Sequence, residues 1–77
     1  MKNVTIYTTS TCGYCKMAKS FFKDKNVNYK EVNVEADPAA AQDMIKKSGQ
    51  MGVPVIDIDG QIVVGFDRGV LSELLGV

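Results

Sequence analysis

Cys12 and Cys15 are the only cysteines of this 77-residue chain, and they form the motif Cys12-Gly13-Tyr14-Cys15. A thiol pair at this spacing can close a disulfide, hold a soft metal ion or run thiol–disulfide exchange. The chain has no histidine, which removes imidazole bases, His-based triads and His metal sites. A zinc site needs two further Cys or His ligands, and none exists. Two cysteines are also too few for a small secreted scaffold stapled by several bridges. In a reducing compartment such a pair reads as catalytic or metal-binding rather than structural.

The elements around the pair decide what it can do. Val4-Thr5-Ile6-Tyr7-Thr8 is β-branched and aromatic, which predicts a strand. Thr9-Ser10-Thr11 is a polar loop rich in N-cap residues. From residue 13 to about residue 25 the pattern is helical, with Tyr14, Met17, Ala18, Phe21 and Phe22 on one expected apolar face and Lys16, Lys19, Ser20 and Lys23 opposite. Asn26 is expected to close this helix. Cys12 therefore falls at a helix mouth, where unsatisfied N–H groups carry about half a positive charge. Thiolates so placed are stabilised, and a free-cysteine pKa of about 8.5 falls to about 3.5–7.5 in such motifs. Cys15 lies one turn inside, beside the apolar face. The expected chemistry is attack by an exposed Cys12 on a disulfide, followed by closure of the Cys12–Cys15 bond. Lys16 and Lys19 are candidates for lowering the Cys12 pKa further.

The rest of the chain reads as follows. Residues 28–34 alternate, with Val32 and Val34 on one side, and Lys30 marks an edge strand. Asp37-Pro38 starts a helix that runs to Lys47 and closes at Ser48-Gly49, with Met44 and Ile45 as expected inward anchors. Val55-Ile56-Asp57-Ile58 and Gln61-Ile62-Val63-Val64 flank Asp59-Gly60, a strong hairpin signal. Asp67 can cap a last helix bearing Val70, Leu71, Leu74 and Leu75. The predicted order is β-α-β-α-β-β-α: one α/β domain over residues 1–77, with a four-stranded mixed sheet and three helices.

Composition narrows the function classes. With 45% hydrophobic and 23% charged residues the chain is a globular domain, not a disordered tail or a repeat array. Zero net charge argues against a general nucleic-acid binder. That zero hides an asymmetry. Residues 1–30 hold six lysines against Asp24 alone, whereas residues 31–77 hold three cations against eight acids. The lysines after the motif serve as a solvated helix face and can also draw an acidic partner. No signal peptide is visible and no apolar run approaches the roughly 20 residues of a membrane helix, so a cytoplasmic monomer with no membrane partner is expected.

Together these residues resemble the glutaredoxins. Four features carry the resemblance along essentially the whole chain: Thr11-Cys12-Gly13-Tyr14-Cys15, Val53-Pro54, the Asp59-Gly60 hairpin, and Gly65-Phe66-Asp67 before the last helix. Thioredoxins are less similar, because they usually carry Trp before the motif and Pro after Gly. The resemblance implies a minimal thioredoxin fold with a cis Val53-Pro54 bond beside the cysteines. It implies a glutathione groove in which Val53 offers its backbone to the cysteinyl part, Tyr14 lines the wall, and Gly65, Phe66 and Asp67 receive the γ-glutamyl end. Thr11, Gly13, Lys16 and Lys19 are the residues expected to tune the thiolate, and no metal site is expected.

The sequence also departs from the family's usual pattern. The Lys common before the motif is Thr9, the Pro after the first Cys is Gly13, the Thr before Val-Pro is Gly52, the usual Gly-Gly pair is Val64-Gly65, and a frequent second Asp is Arg68. Some of these changes resemble redoxins that serve ribonucleotide reductase and draw on thioredoxin reductase. Gly13 also resembles relatives that hold a [2Fe–2S] cluster between two protomers with glutathione. Copper(I) chaperones share a CxxC after strand 1, but they typically carry Met where this chain has Ser10 and end in a strand. The reading that follows is a thiol–disulfide oxidoreductase acting on protein disulfides or glutathione mixed disulfides. Its expected partners are glutathione and a glutathione reductase or thioredoxin reductase system.

Overall fold

A computed structural model describes residues 3–77; Met1 and Lys2, the latter counted in the charge tally, lie outside the described residues. The elements are β1 (Val4–Thr8), α1 (Gly13–Asp24), β2 (Lys30–Asn33), α2 (Pro38–Ser48), β3 (Val55–Ile58), β4 (Gln61–Val64) and α3 (Arg68–Leu75), in the order expected. The sheet runs β2-β1-β3-β4, with β1 and β2 parallel and the other two pairings antiparallel. β2 is an edge, as Lys30 indicated, and its strand is shorter than residues 28–34. The last element is a helix.

Local chemistry explains the boundaries. Asp37 caps α2 by accepting from the Ala40 N–H, with Pro38 in the first turn, and Gly49 ends it at φ 73°. Asn26 closes α1 at φ 56°, where the Val27 N–H donates to Phe22 O and the Asn26 N–H to Lys23 O. That bond pair is the Schellman pattern, and Val27 packs back on the core. In the hairpin Asp59 and Gly60 both have positive φ, as a two-residue type I′ turn requires. Asp57 supports the turn by accepting from the Gly60 N–H at 2.8 Å.

Strand alternation divides the interior between the two faces of the sheet. Val4, Ile6, Ile56, Ile58 and Val63 point to one face and pack with Ala18, Phe21 and Phe22 of α1 and Leu71 of α3. Tyr7 and Val55 point to the other and pack with Met44 of α2. Two helix faces differ from the sequence reading. Cys15, Ala18, Phe21 and Phe22 are the buried residues of α1, whereas Tyr14 and Met17 are 64% and 51% exposed. The buried stripe is therefore turned toward Cys15. Its direction is set by the sheet that the helix covers, which periodicity within the helix does not encode. Ile45 likewise faces outward, and Met44 alone anchors α2. Among the described residues, no helix is long and apolar enough to cross a membrane.

Candidate active site

β1 ends at Thr8, a turn follows, and Cys12 becomes the N-cap of α1 with extended backbone. Its sulfur accepts the Cys15 N–H at 3.1 Å. This bond and the adjacent helix terminus bring positive potential onto Sγ. Cys12 is partly exposed, Cys15 is 1% exposed, and the two are joined as a disulfide with a Cα–Cα distance of 5.2 Å. The separation is within the ordinary range for a disulfide. One sulfur thus faces solvent at the helix mouth while its neighbour is buried.

The end of β1 and the loop before Cys12 are anchored by two carboxylates that sequence reading did not single out. Glu35 accepts from both the Ser10 N–H and the Ser10 hydroxyl, at 3.3 and 2.8 Å. Glu31 accepts from the buried Thr8 hydroxyl at 2.9 Å and pairs with Lys19 at 3.0 Å. The Lys19 hydrogen bond, then that of Thr8, holds the Glu31 carboxyl below its usual range. Twenty-five residues separate Ser10 from Glu35, so no local pattern reveals the contact; parallel pairing of β1 with β2 creates it. Lys19, expected to tune the thiolate, has its ammonium on Glu31. Lys16 is exposed, and its backbone N–H reaches Cys12 O at 3.4 Å. Thr11 is exposed in the turn, and a Cβ on Gly13 would meet nothing within 4 Å, so packing does not require glycine there.

The remaining candidates lie on the loops before β3 and after β4. The Val53-Pro54 peptide bond is cis, and Pro54 is buried. The Pro54 carbonyl accepts the Gly65 N–H at 2.8 Å, tying the two loops together. Gly65 has φ 81°, a conformation that glycine adopts without strain. Phe66 stacks edge-on against Phe21, with centroids 6.0 Å apart. Asp67 caps α3 by accepting the Val70 N–H at 3.2 Å.

The glutaredoxin family model matches residues 4–63, from β1 into β4. The chain belongs to the glutaredoxin family. This glutaredoxin is 42% identical to glutaredoxin 3 of Escherichia coli strain K12 over 82 residues, covering 97% of this chain and 99% of that one. Among solved structures it is similar to a mutant of the thioredoxin-like protein BC3987, with a TM-score of 0.92, 34% identity and coverage of 100% and 99%. It is also similar to the glutaredoxin-like NrdH-redoxin of Escherichia coli, described by its thioredoxin-like activity profile, with a TM-score of 0.84, 25% identity and coverage of 94% and 93%. The fold is the minimal thioredoxin fold, and the glutaredoxin is a thiol–disulfide oxidoreductase with Cys12 and Cys15 as its redox pair.

Proposed function

We propose that Cys12 is the nucleophile, Cys15 the resolving thiol and glutathione the reductant. The observation that carries the assignment is the Cys12 sulfur held as the N-cap of α1, above a buried Cys15. The Cys12 thiolate attacks one sulfur of a substrate disulfide, forming a mixed disulfide and expelling the other sulfur as a thiolate that takes up a proton. The Cys15 thiolate then attacks the Cys12 sulfur, releasing the second substrate thiol. Two electrons pass from the dithiol to the substrate. Two glutathione molecules restore the dithiol and leave as oxidised glutathione.

Several features support a glutathione site. Among the described residues no backbone hydrogen bond uses the Val53 N–H or C=O, which leaves both for strand addition by the cysteinyl part of the tripeptide. Tyr14 stands exposed beside Cys15 in sequence, at the position that the family resemblance gives to the groove wall. The N–H groups of Phe66 and Asp67, at the start of α3, suit the γ-glutamyl carboxylate. The Asp67 carboxylate suits the ammonium. The similarity to NrdH-redoxin, together with Arg68 where a second Asp is frequent, favours a second reading, with thioredoxin reductase as donor and ribonucleotide reductase as acceptor.

An NADPH-coupled assay decides between them. Glutathione with glutathione reductase should sustain turnover. Activity only with thioredoxin reductase would overturn the glutathione assignment and favour the donor of the second reading. Cys12→Ser should lose all thiol transfer, and full activity in that variant would overturn the nucleophile assignment.

A further inference from the structure

An open groove of about 420 Å³ runs between α1 and the start of α3. Met17, Phe21 and Phe66 supply its apolar lining, and Lys16, Lys25 and Arg68 its cations, against Asp24 as the single acid. The Arg68 guanidinium lies 5.7 Å from the centre of the Phe21 ring, over its face. Such stacking holds a cation in place on an apolar floor. Among the described residues the ion pairs are Lys19–Glu31 and Lys47–Asp57, so the groove cations are not neutralised by carboxylates of the chain. The groove begins one helical turn beyond Cys12. The Lys16 N–H bonds the Cys12 carbonyl, and Phe66 directly precedes Asp67. From Cys12 to Lys25 the helix advances about 20 Å at about 1.5 Å per residue, the span of roughly six extended residues.

We propose that this groove docks an acidic segment carrying an apolar side chain, adjacent in sequence to the reactive cysteine of a protein disulfide substrate. The inference rests on Cys12 being the nucleophile. The apolar floor takes the apolar side chain, and two net positive charges take the acids. Charge at such a rim acts on encounter and on partner choice, and is screened by salt. A free small disulfide has no segment to place there, so the groove separates protein substrates from one another without changing the exchange chemistry. The electrons come from the Cys12–Cys15 dithiol, so no other reductant enters a single turnover.

The test uses the full chain, reduced beforehand and freed of reductant. Two synthetic hexapeptides end in a cysteine linked through a disulfide to thiopyridine. One carries two aspartates and a leucine before the cysteine, and the other carries lysines in place of the aspartates. Attack by Cys12 on the peptide sulfur releases thiopyridone, whose absorbance reports the rate. At low ionic strength the wild type should react about tenfold faster with the acidic peptide. That ratio should fall toward one in roughly molar salt, where the Debye length is about 3 Å. In Lys25→Gln/Arg68→Glu the ratio should fall to about one, while the rate with the disulfide of mercaptoethanol is unchanged. Glutamate at the first residue of α3 suits the helix terminus, so this variant should fold. The salt response of the wild type tests the proposal without any variant.

Equal wild-type rates with both peptides, or a variant slowed equally on all three disulfides, would overturn the docking proposal. So would a wild-type dimer in sedimentation that the double variant abolishes, since a second copy would then be the occupant. If the wild type reacts with none of the three, the nucleophile assignment itself falls. Normal rates without preference sink the groove alone.

Discussion

If the Cys12 sulfur caps α1, replacing it by oxygen and deleting it should have different consequences. Cys12→Ser and Cys12→Ala both remove the Cys12–Cys15 disulfide, so the two variants differ chiefly in the acceptor offered to the Cys15 N–H, now bonded to sulfur at 3.1 Å. Serine keeps that acceptor, whereas alanine leaves a part-buried helix donor without it. Loss of an N-cap costs about 0.5–2 kcal/mol, typically about 1. The core residues Ala18, Phe21 and Phe22 lie further along the helix, so the first turn can fray without uncovering them. The cost should stay near the value for the cap itself. For a domain of this size about 1 kcal/mol corresponds to a Tm difference of about 4–8 °C. Thermal unfolding followed by circular dichroism, on both variants under reducing conditions, should place Cys12→Ser above Cys12→Ala by that interval. Equal Tm values would refute the capping argument, and with it the claim that the helix terminus acts on the sulfur.

Cys15→Ser should retain transfer from glutathione mixed disulfides and lose dithiol reduction of protein disulfides, measured as deglutathionylation against insulin reduction. Asp67→Asn should keep the α3 cap, so Tm holds, while KM for glutathione rises several-fold; Asp67→Ala should lower both affinity and Tm, with a stability loss of about 1 kcal/mol. Glu31 titrates below its ordinary 4.5 because Lys19 and Thr8 bond its charged form. The stability it contributes is therefore present above that value and lost as pH falls through the lowered one. Unfolding free energies of wild type and Glu31→Gln, from urea unfolding across pH, should separate by no more than about 1 kcal/mol at neutral pH and converge in acid. Phe22→Ala, at a fully buried position between Phe21 and Tyr29, should cost about 3–5 kcal/mol by urea unfolding.

The legible parts of this protein are those with short-range causes. Asp37-Pro38 announces α2, Asp59-Gly60 the hairpin and Asp67 the last cap, because each residue bonds or restricts backbone within three or four positions of itself. Cys12 reads as a helix-mouth thiol for the same reason. The orientation of α1 was not readable. Tyr14 and Met17 fit an amphipathic period as well as Cys15 does, and only the sheet beneath the helix turns Cys15 inward. Ile45 stands exposed beside Met44 on the same ground.

The sequence by itself determined that a dithiol sits between a first strand and a first helix, in one small α/β domain with seven elements in a set order. Tertiary structure decided what surrounds the dithiol. Register between β1 and β2 brings Glu31 to Thr8 at the end of β1 and Glu35 to Ser10 in the loop before Cys12. Packing of Phe66 on Phe21 opens a cationic groove between α1 and α3. These contacts join residues far apart in sequence, and their geometry follows from how strands pair and helices cover the sheet, which no local pattern encodes.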